Sequence, residues 1–168
     1  MPSPWWRRLG ALAALLVAGP ALSQTAPPRY GVSFDVSGGA GGGDVVPDGA
    51  ALGVRGRVAL PVNADLSVAA SLGVSAYLFE GASDAAVALN PQTSLIVTVP
   101  GARSVRYYLG GFGVLLPLSG GGGGTVHGGV GWAFPLAATS LFVEVNPSLV
   151  VGEDAAAGLV TLRGGVIF

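Results

Sequence analysis

The chain has 168 residues, with eight basic and nine acidic side chains and a formal net charge of −1 at pH 7. This near-neutral balance argues against nucleic acid as a partner. The chain contains no cysteine, which excludes both a disulfide framework and thiol chemistry.

The N-terminal 23 residues have the layout of a secretory signal peptide. A charged start at Arg7 and Arg8 precedes an apolar run, and a small-residue cleavage site ends at Ser23. A membrane anchor is the weaker alternative, because the apolar run is too short to span a bilayer and ends at Pro20. Cleavage after Ser23 would leave six basic and nine acidic residues, a net charge of −3, in a chain of single-domain length.

From residue 30 onwards the sequence alternates apolar residues with polar or small ones, a pattern that predicts β-strands. The clearest segment is 65–80, in which every second residue from 66 to 78 is leucine, valine or alanine. A helix would scatter this apolar set around its circumference, so the alternation indicates a strand. The predicted strands cover residues 30–37, 50–60, 65–80, 87–99, 104–116, 125–136, 140–151 and 158–168.

The predicted connections alternate in length along the chain. Longer glycine-rich or acidic loops are expected at 38–49, 81–86, 117–124 and 152–157, and short turns at 61–64, 100–103 and 137–139. This asymmetry is typical of barrels that cross a membrane, which have short turns at one end and longer loops at the other. An even number of strands places both ends of the barrel domain at the short-turn end.

The last predicted strand, 158–168, has one apolar face and one face that carries a charge. If it pairs with the first strand so that Tyr30 lies opposite Phe168, then Asp35 lies opposite Arg163. Such pairing closes a barrel and leaves no free sheet edge. The apolar face consists of Val160, Leu162, Val166 and Phe168. A strand of this kind resembles the terminal assembly signal of bacterial outer-membrane β-barrels, which implies recognition by the barrel-assembly machinery.

Most of the eight predicted strands are close in length to the roughly 9–11 residues that a tilted membrane strand needs. This number and length of strands make the chain similar in architecture to a known group of proteins. It resembles the small eight-stranded outer-membrane barrels of the OmpA transmembrane-domain and OmpX kind. The resemblance implies an all-β fold, an eight-stranded antiparallel up-and-down transmembrane β-barrel, in the lipid of the bacterial outer membrane. The expected domains are a signal peptide at 1–23, a short lead at 24–29 and the barrel at 30–168.

In such a barrel the polar face of each strand lines the interior. The charged residues expected there are Asp35, Arg55, Arg57, Arg106, Glu144 and Arg163. Because buried charges need partners, we expect a network of Asp35 and Glu144 with the arginines. For Arg57 and Arg106, contact with water at the rim is an equally good interpretation. Eight strands enclose little more than their own side chains, so a wide pore is not expected.

Aromatic and acidic residues separate towards opposite ends of the predicted barrel. The outward aromatic residues expected to form an interfacial belt at the short-turn end are Tyr30, Tyr107, Trp132 and Phe134. Rings expected inside, over glycines, are those of Tyr77, Tyr108, Phe112 and Phe142.

The acids in or beside the longer loops are Asp44, Asp48, Glu80, Asp84, Glu153 and Asp154. These acids are expected to solvate the loop tips and to bind divalent cations at most weakly, and no cofactor is expected.

His127 is the only histidine, and it is expected to point inward near the long-loop rim. A catalytic base needs a nucleophile within reach and a carboxylate to orient it. Thr125 lies on the same strand face and Glu80 or Asp84 could lie above it, but nothing in the sequence fixes their geometry. An interior hydrogen-bonding role is therefore favoured, and the barrel is expected to be a non-enzymatic structural or surface-contact protein of the envelope. Two alternatives stay open: a lipid-modifying barrel enzyme that uses His127, and a secreted soluble β-barrel whose inward apolar faces bind a small apolar ligand.

Overall fold

The computed structural model describes residues 26–40, 49–78, 86–118 and 122–168. The predicted signal peptide lies outside these ranges, as do residues 41–48, 81–85 and 119–121 of three predicted loops. The described residues form eight antiparallel strands, each paired with its neighbour in sequence, and β1 pairs with β8 to close a barrel. The strands are β1 (Arg29–Ala40), β2 (Gly49–Pro61), β3 (Leu66–Leu78), β4 (Ala86–Pro100), β5 (Val105–Pro117), β6 (Gly123–Pro135), β7 (Ser140–Val151) and β8 (Ala156–Ile167).

The predicted eight-stranded antiparallel up-and-down barrel is therefore confirmed. The predicted seam is also found, because Asp35 pairs with Arg163 across β1 and β8. At the end of the seam, the backbone N–H groups of Tyr30 and Phe168 each donate to the other's carbonyl at 2.9 Å. Within the described ranges, no helix is long and apolar enough to cross a membrane.

Two connections show how the chain reverses. The turn after β2 is organised by Asn63, whose side-chain Oδ1 accepts the backbone N–H groups of Asp65 and Leu66 at 2.9 and 2.8 Å. The connection between β7 and β8 was predicted to be a longer loop at 152–157, and this prediction was wrong. It is a four-residue turn closed by the N–H of Gly152, which donates to the Ala155 carbonyl at 2.9 Å.

The apolar faces of the strands point outward and the charged faces point inward. Leu72 and Leu162 are each 53% exposed, whereas Asp35 is 2% and Arg163 is 4% exposed. Outward leucine, valine and aromatic side chains occur on all eight strands. A soluble barrel that buries its apolar faces would have the opposite arrangement, so that alternative is wrong.

β5 has the opposite orientation to the predicted one. Tyr107 is buried and Arg106 is exposed, so Tyr107 is not part of an outer belt and Arg106 is not part of an interior network. The rings of Tyr108 and Phe112, expected inside, also point outward. The physical reason is that both faces of this strand are apolar, while Arg106 lies at its short-turn end, where a long side chain reaches water from the outer surface.

Inside the barrel, two apolar clusters lie at opposite ends of a polar middle layer. The cluster towards the long-loop end contains Ala51, Tyr77, Ala88, Leu115, Val150, Ala157 and Leu159. The cluster towards the short-turn end contains Ala59, Ala69, Ile96, Tyr107, Leu109, Ala133 and Phe142. Small alanines beside a few large side chains fill the narrow space that eight strands enclose.

A proline interrupts one strand ladder beside the polar layer, and a side chain replaces the missing donor. β4 and β5 keep one register on both sides of Pro91, which has no N–H to offer the neighbouring strand. The side-chain Nδ2 of Asn90 donates instead to the Val114 carbonyl at 2.9 Å. This bond fixes Asn90 in the orientation in which its Oδ1 faces the lumen.

Candidate functional site

Three charged residues lie side by side across the closing seam of the barrel. Arg163 on β8 pairs in register with Asp35 on β1 and with Glu144 on β7. Its Nη1 donates to Glu144 Oε1 at 2.6 Å, and its Nε donates to Asp35 Oδ2 at 3.3 Å. Arg163 therefore holds two carboxylates from two different strands.

Arg55 occupies the other side of the polar layer and uses all three guanidinium nitrogens. Its Nε donates to Asp35 Oδ2 at 2.9 Å. Its Nη1 donates to the Ser71 hydroxyl and to Gln92 Oε1, both at 3.1 Å, and its Nη2 donates to Asn90 Oδ1 at 2.8 Å. Such complete hydrogen bonding is what makes a buried arginine tolerable.

Arg57 reaches across the lumen from β2 to β7. Its Nη2 donates to Glu144 Oε2 at 2.9 Å, and the Tyr107 hydroxyl donates to the same oxygen at 3.1 Å. The guanidinium carbon lies 5.8 Å from the centre of the Phe142 ring, within the range of a cation–π contact. Arg57 thus joins the polar layer to the apolar cluster at the short-turn end.

We call Asp35, Arg55, Arg57, Glu144 and Arg163 the interior charge network. It contains three cations and two carboxylates, so its formal charge is +1. All its members are mostly or fully buried, and the four ion pairs run from 2.6 to 3.3 Å. This connected network crosses the lumen from β2 to β7 and β8.

Sequence reasoning identified the charged members of this layer as a network, but it assigned no contacts to the neutral ones. Gln92 Oε1 accepts from both Arg55 and Arg163, at 3.1 and 3.3 Å. Asn90 Oδ1 accepts from Arg55, and the Tyr107 hydroxyl donates to Glu144. The sequence signal for these contacts was the series of polar residues at inward positions of β4, namely Asn90, Gln92 and Ser94. A barrel filled only with apolar side chains would not need polar residues there.

Apart from Tyr107, the residues predicted for the aromatic belt lie on the outer face. The rings of Tyr30 and Phe168 stack with centroids 6.3 Å apart, and Phe134 is exposed nearby on β6. Trp132 is half-buried on the outer face, in register with the exposed Arg106. On the last strand, Val160, Leu162 and Phe168 are exposed and Val166 is half-buried.

Among the described residues, His127 has one of the two partners that a catalytic base needs. Its Nε2 lies 2.9 Å from the Ser94 hydroxyl, a distance typical of a nucleophile and its base, but both side chains are buried. Its Nδ1 has no hydrogen-bond partner among the described residues, so no carboxylate of the described barrel orients the ring. In the described ranges, no group of three or more potential ligands is placed to hold a metal ion.

Gly131 on β6 is required by the position of Tyr107. A Cβ built on Gly131 would overlap the Tyr107 ring, which approaches that backbone closely. Gly131→Ala is therefore expected to displace the ring from Glu144 and to destabilise the barrel by about 1–3 kcal/mol in denaturant unfolding. Gly56→Ala is the matched control, because nothing lies within 4 Å of its Cβ position, and equal losses in both variants would contradict this account.

No protein-family model matches the chain, and the curated proteins contain no significant sequence match to it. Among solved structures, Neisserial surface protein A (NspA) superposes with a TM-score of 0.68 at 10% identity, over 83% of this chain and 95% of that one. Ail, the attachment invasion locus protein of Yersinia pestis, gives a TM-score of 0.53 at 14% identity, over 84% and 97% of the two chains. The N-terminal β-barrel domain of Pseudomonas aeruginosa OprF gives 0.50 at 12% identity, over 83% and 97%. The likeness is one of architecture, and it confirms the predicted resemblance to small eight-stranded outer-membrane barrels.

Proposed function

We propose that this protein is a bacterial outer-membrane β-barrel with a structural or surface-contact role, without enzymatic activity and without a wide pore. The observation that carries the proposal is the inside-out distribution of polarity on a closed barrel. Its outer surface exposes large apolar side chains on every strand, and Phe34 at the centre of β1 is 72% exposed. Hydrocarbon is the medium in which such a surface is stable.

The lumen supports the absence of a wide pore. The interior charge network spans it, and an apolar cluster lies on either side. The solved barrels of similar architecture named above support the envelope assignment. In the proposed orientation the short turns face the periplasm and the longer loops face outward.

The two ends of the chain fit the same proposal. Residues 1–23 would be removed on export, and the apolar face of the last strand would be read by the barrel-assembly machinery. The exposure of Leu162 and Phe168 supports this role, since both side chains are accessible on the outer face. The acidic residues of the longer loops would bind divalent cations only weakly.

Heating and conductance measurements test the proposal together. The full chain expressed in a bacterium with an outer membrane is expected to fractionate with that membrane. Its unheated form should migrate differently from the boiled form on a denaturing gel, since a closed barrel resists detergent until heated. In planar bilayers the purified barrel should give no steady conductance. Recovery in the soluble periplasmic fraction would contradict the membrane assignment, and stable large channels would contradict a filled lumen.

A further inference from the structure

A cavity of about 80 Å³ lies at the short-turn end of the lumen, below the interior charge network. Three arginines contribute to its lining, Arg29 at the mouth and Arg55 and Arg57 at the inner end, and no carboxylate does. Its apolar wall is formed by Ala59, Ile96, Val105, Ala133, Phe142 and Ile167. The cavity therefore combines a cationic inner end with an apolar wall.

The charge at the inner end is not fully compensated. The interior charge network has one more arginine than it has carboxylates, and both carboxylates are buried away from the cavity lining. Arg57 donates to Glu144 only through Nη2, so its Nε and Nη1 make no hydrogen bond to a carboxylate of the described barrel. A second anion could accept a charge-assisted hydrogen bond from Nη1 or from Nε, one at a time because these two N–H groups point in different directions.

The size and the wall of the cavity restrict the ligand. A water molecule needs about 10–15 Å³ by this measure, so the cavity holds about five to eight water-sized groups. A carboxylate takes the space of about three such groups, which leaves room for a short hydrocarbon chain. The chain would lie against Ile96, Phe142 and Ile167, where an inorganic anion would leave the apolar wall in contact with water.

We propose that this cavity binds a short-chain amphiphilic carboxylate, with its head group on Arg57 and its hydrocarbon against the apolar wall at the short-turn end. This binding activity goes beyond a structural role in the envelope. It depends only on the closed barrel and its interior, so failure of the membrane assignment would leave it standing.

Four probes separate the chemistry of the head group from that of the chain. The refolded barrel in non-ionic detergent micelles is titrated calorimetrically with hexanoate, hexanol, acetate and inorganic phosphate, and the same titrations into protein-free micelles are subtracted. Hexanoate is expected to bind at least about tenfold more tightly than each of the other three. Equal binding of hexanol would show partition without recognition of charge, and equal binding of acetate or phosphate would show an anion site without a chain pocket. Either result overturns the proposal.

Two alanine-to-leucine variants locate the site. Ala59→Leu places extra carbon atoms in the cavity and changes no charge, while Ala70→Leu makes the same change at an exposed position on the outer face of β3. Ala59→Leu is expected to weaken hexanoate binding by at least about tenfold, and Ala70→Leu to leave it unchanged. Arg57→Gln should reduce hexanoate binding by a similar factor without altering the weak response to hexanol. Unchanged binding in Ala59→Leu overturns the proposal, even if Arg57→Gln does not fold.

Discussion

Replacing Arg163 by methionine is expected to destabilise the barrel by about 3–5 kcal/mol, the usual cost of removing one partner from a buried ion pair. The reason is that Arg163 serves both Asp35 and Glu144, which are almost completely buried. Without it Asp35 keeps Arg55, and Glu144 keeps Arg57, but each carboxylate loses a charged donor. The loss can be measured by urea unfolding of the barrel in phospholipid vesicles, with the fluorescence of Trp132 as the signal.

Arg106→Met is the matched control for this prediction. Arg106 is exposed on the outer face near the short-turn end, so the same substitution there should change the free energy of unfolding by at most about 1 kcal/mol. A further variant, Arg163→Met with Glu144→Gln, should be no more stable than Arg163→Met alone, because it also removes the carboxylate that pairs with the buried Arg57. Similar effects of Arg163→Met and Arg106→Met would contradict the role assigned to the network.

Leu72→Arg is expected to destabilise the barrel in a bilayer by about 2–4 kcal/mol, since it would place a charge near the middle of the hydrocarbon layer. Leu72 lies at the centre of β3 and points outward. If the outer surface faced water instead, the same change would alter the stability by no more than about 0.5 kcal/mol. Unfolding in vesicles of defined thickness provides the measurement.

The depth dependence of this effect supplies its control. Val99 is exposed one residue from the short-turn end of β4, and Val99→Arg should cost about 0–1 kcal/mol, because the arginine can reach the interface. Equal costs at Leu72 and Val99 would indicate a local packing defect. No cost at either position would contradict the membrane assignment.

Most of the fold could be predicted because an alternating strand can be oriented in only two ways, with one face or the other towards the lumen. Where one face is apolar and the other carries charge, as on β8 with Leu162 and Arg163, the sequence determines which side meets lipid. β5 lacks this contrast, since Phe112 and Leu109 lie on opposite faces and both are apolar. The single charge of that strand, Arg106, then determined the predicted orientation, and its position at the strand end made it misleading.

The sequence predicted most of the charged residues that line the lumen, but few of the contacts between them. The pair of Asp35 and Arg163 follows from the register of two strands that meet at the seam. The contact of Arg57 with Glu144 joins strands on opposite sides of the lumen, and it depends on how far the strands are staggered around the barrel. Alternation within a strand carries no information about that stagger. The contacts of Gln92 with Arg55 and Arg163 could not be predicted for the same reason.

The seam between β1 and β8 also determines the register in which the barrel closes. Sliding β8 by two residues would keep every apolar side chain outside, so lipid could not distinguish the native pairing from its nearest neighbours. The same slide would set Asp35 opposite Thr161 or Gly165 and leave a buried acid facing a partner without charge. Arg163 therefore makes the pairing of the final strand selective for one register. That selection comes from contacts inside the barrel and not from the surrounding bilayer.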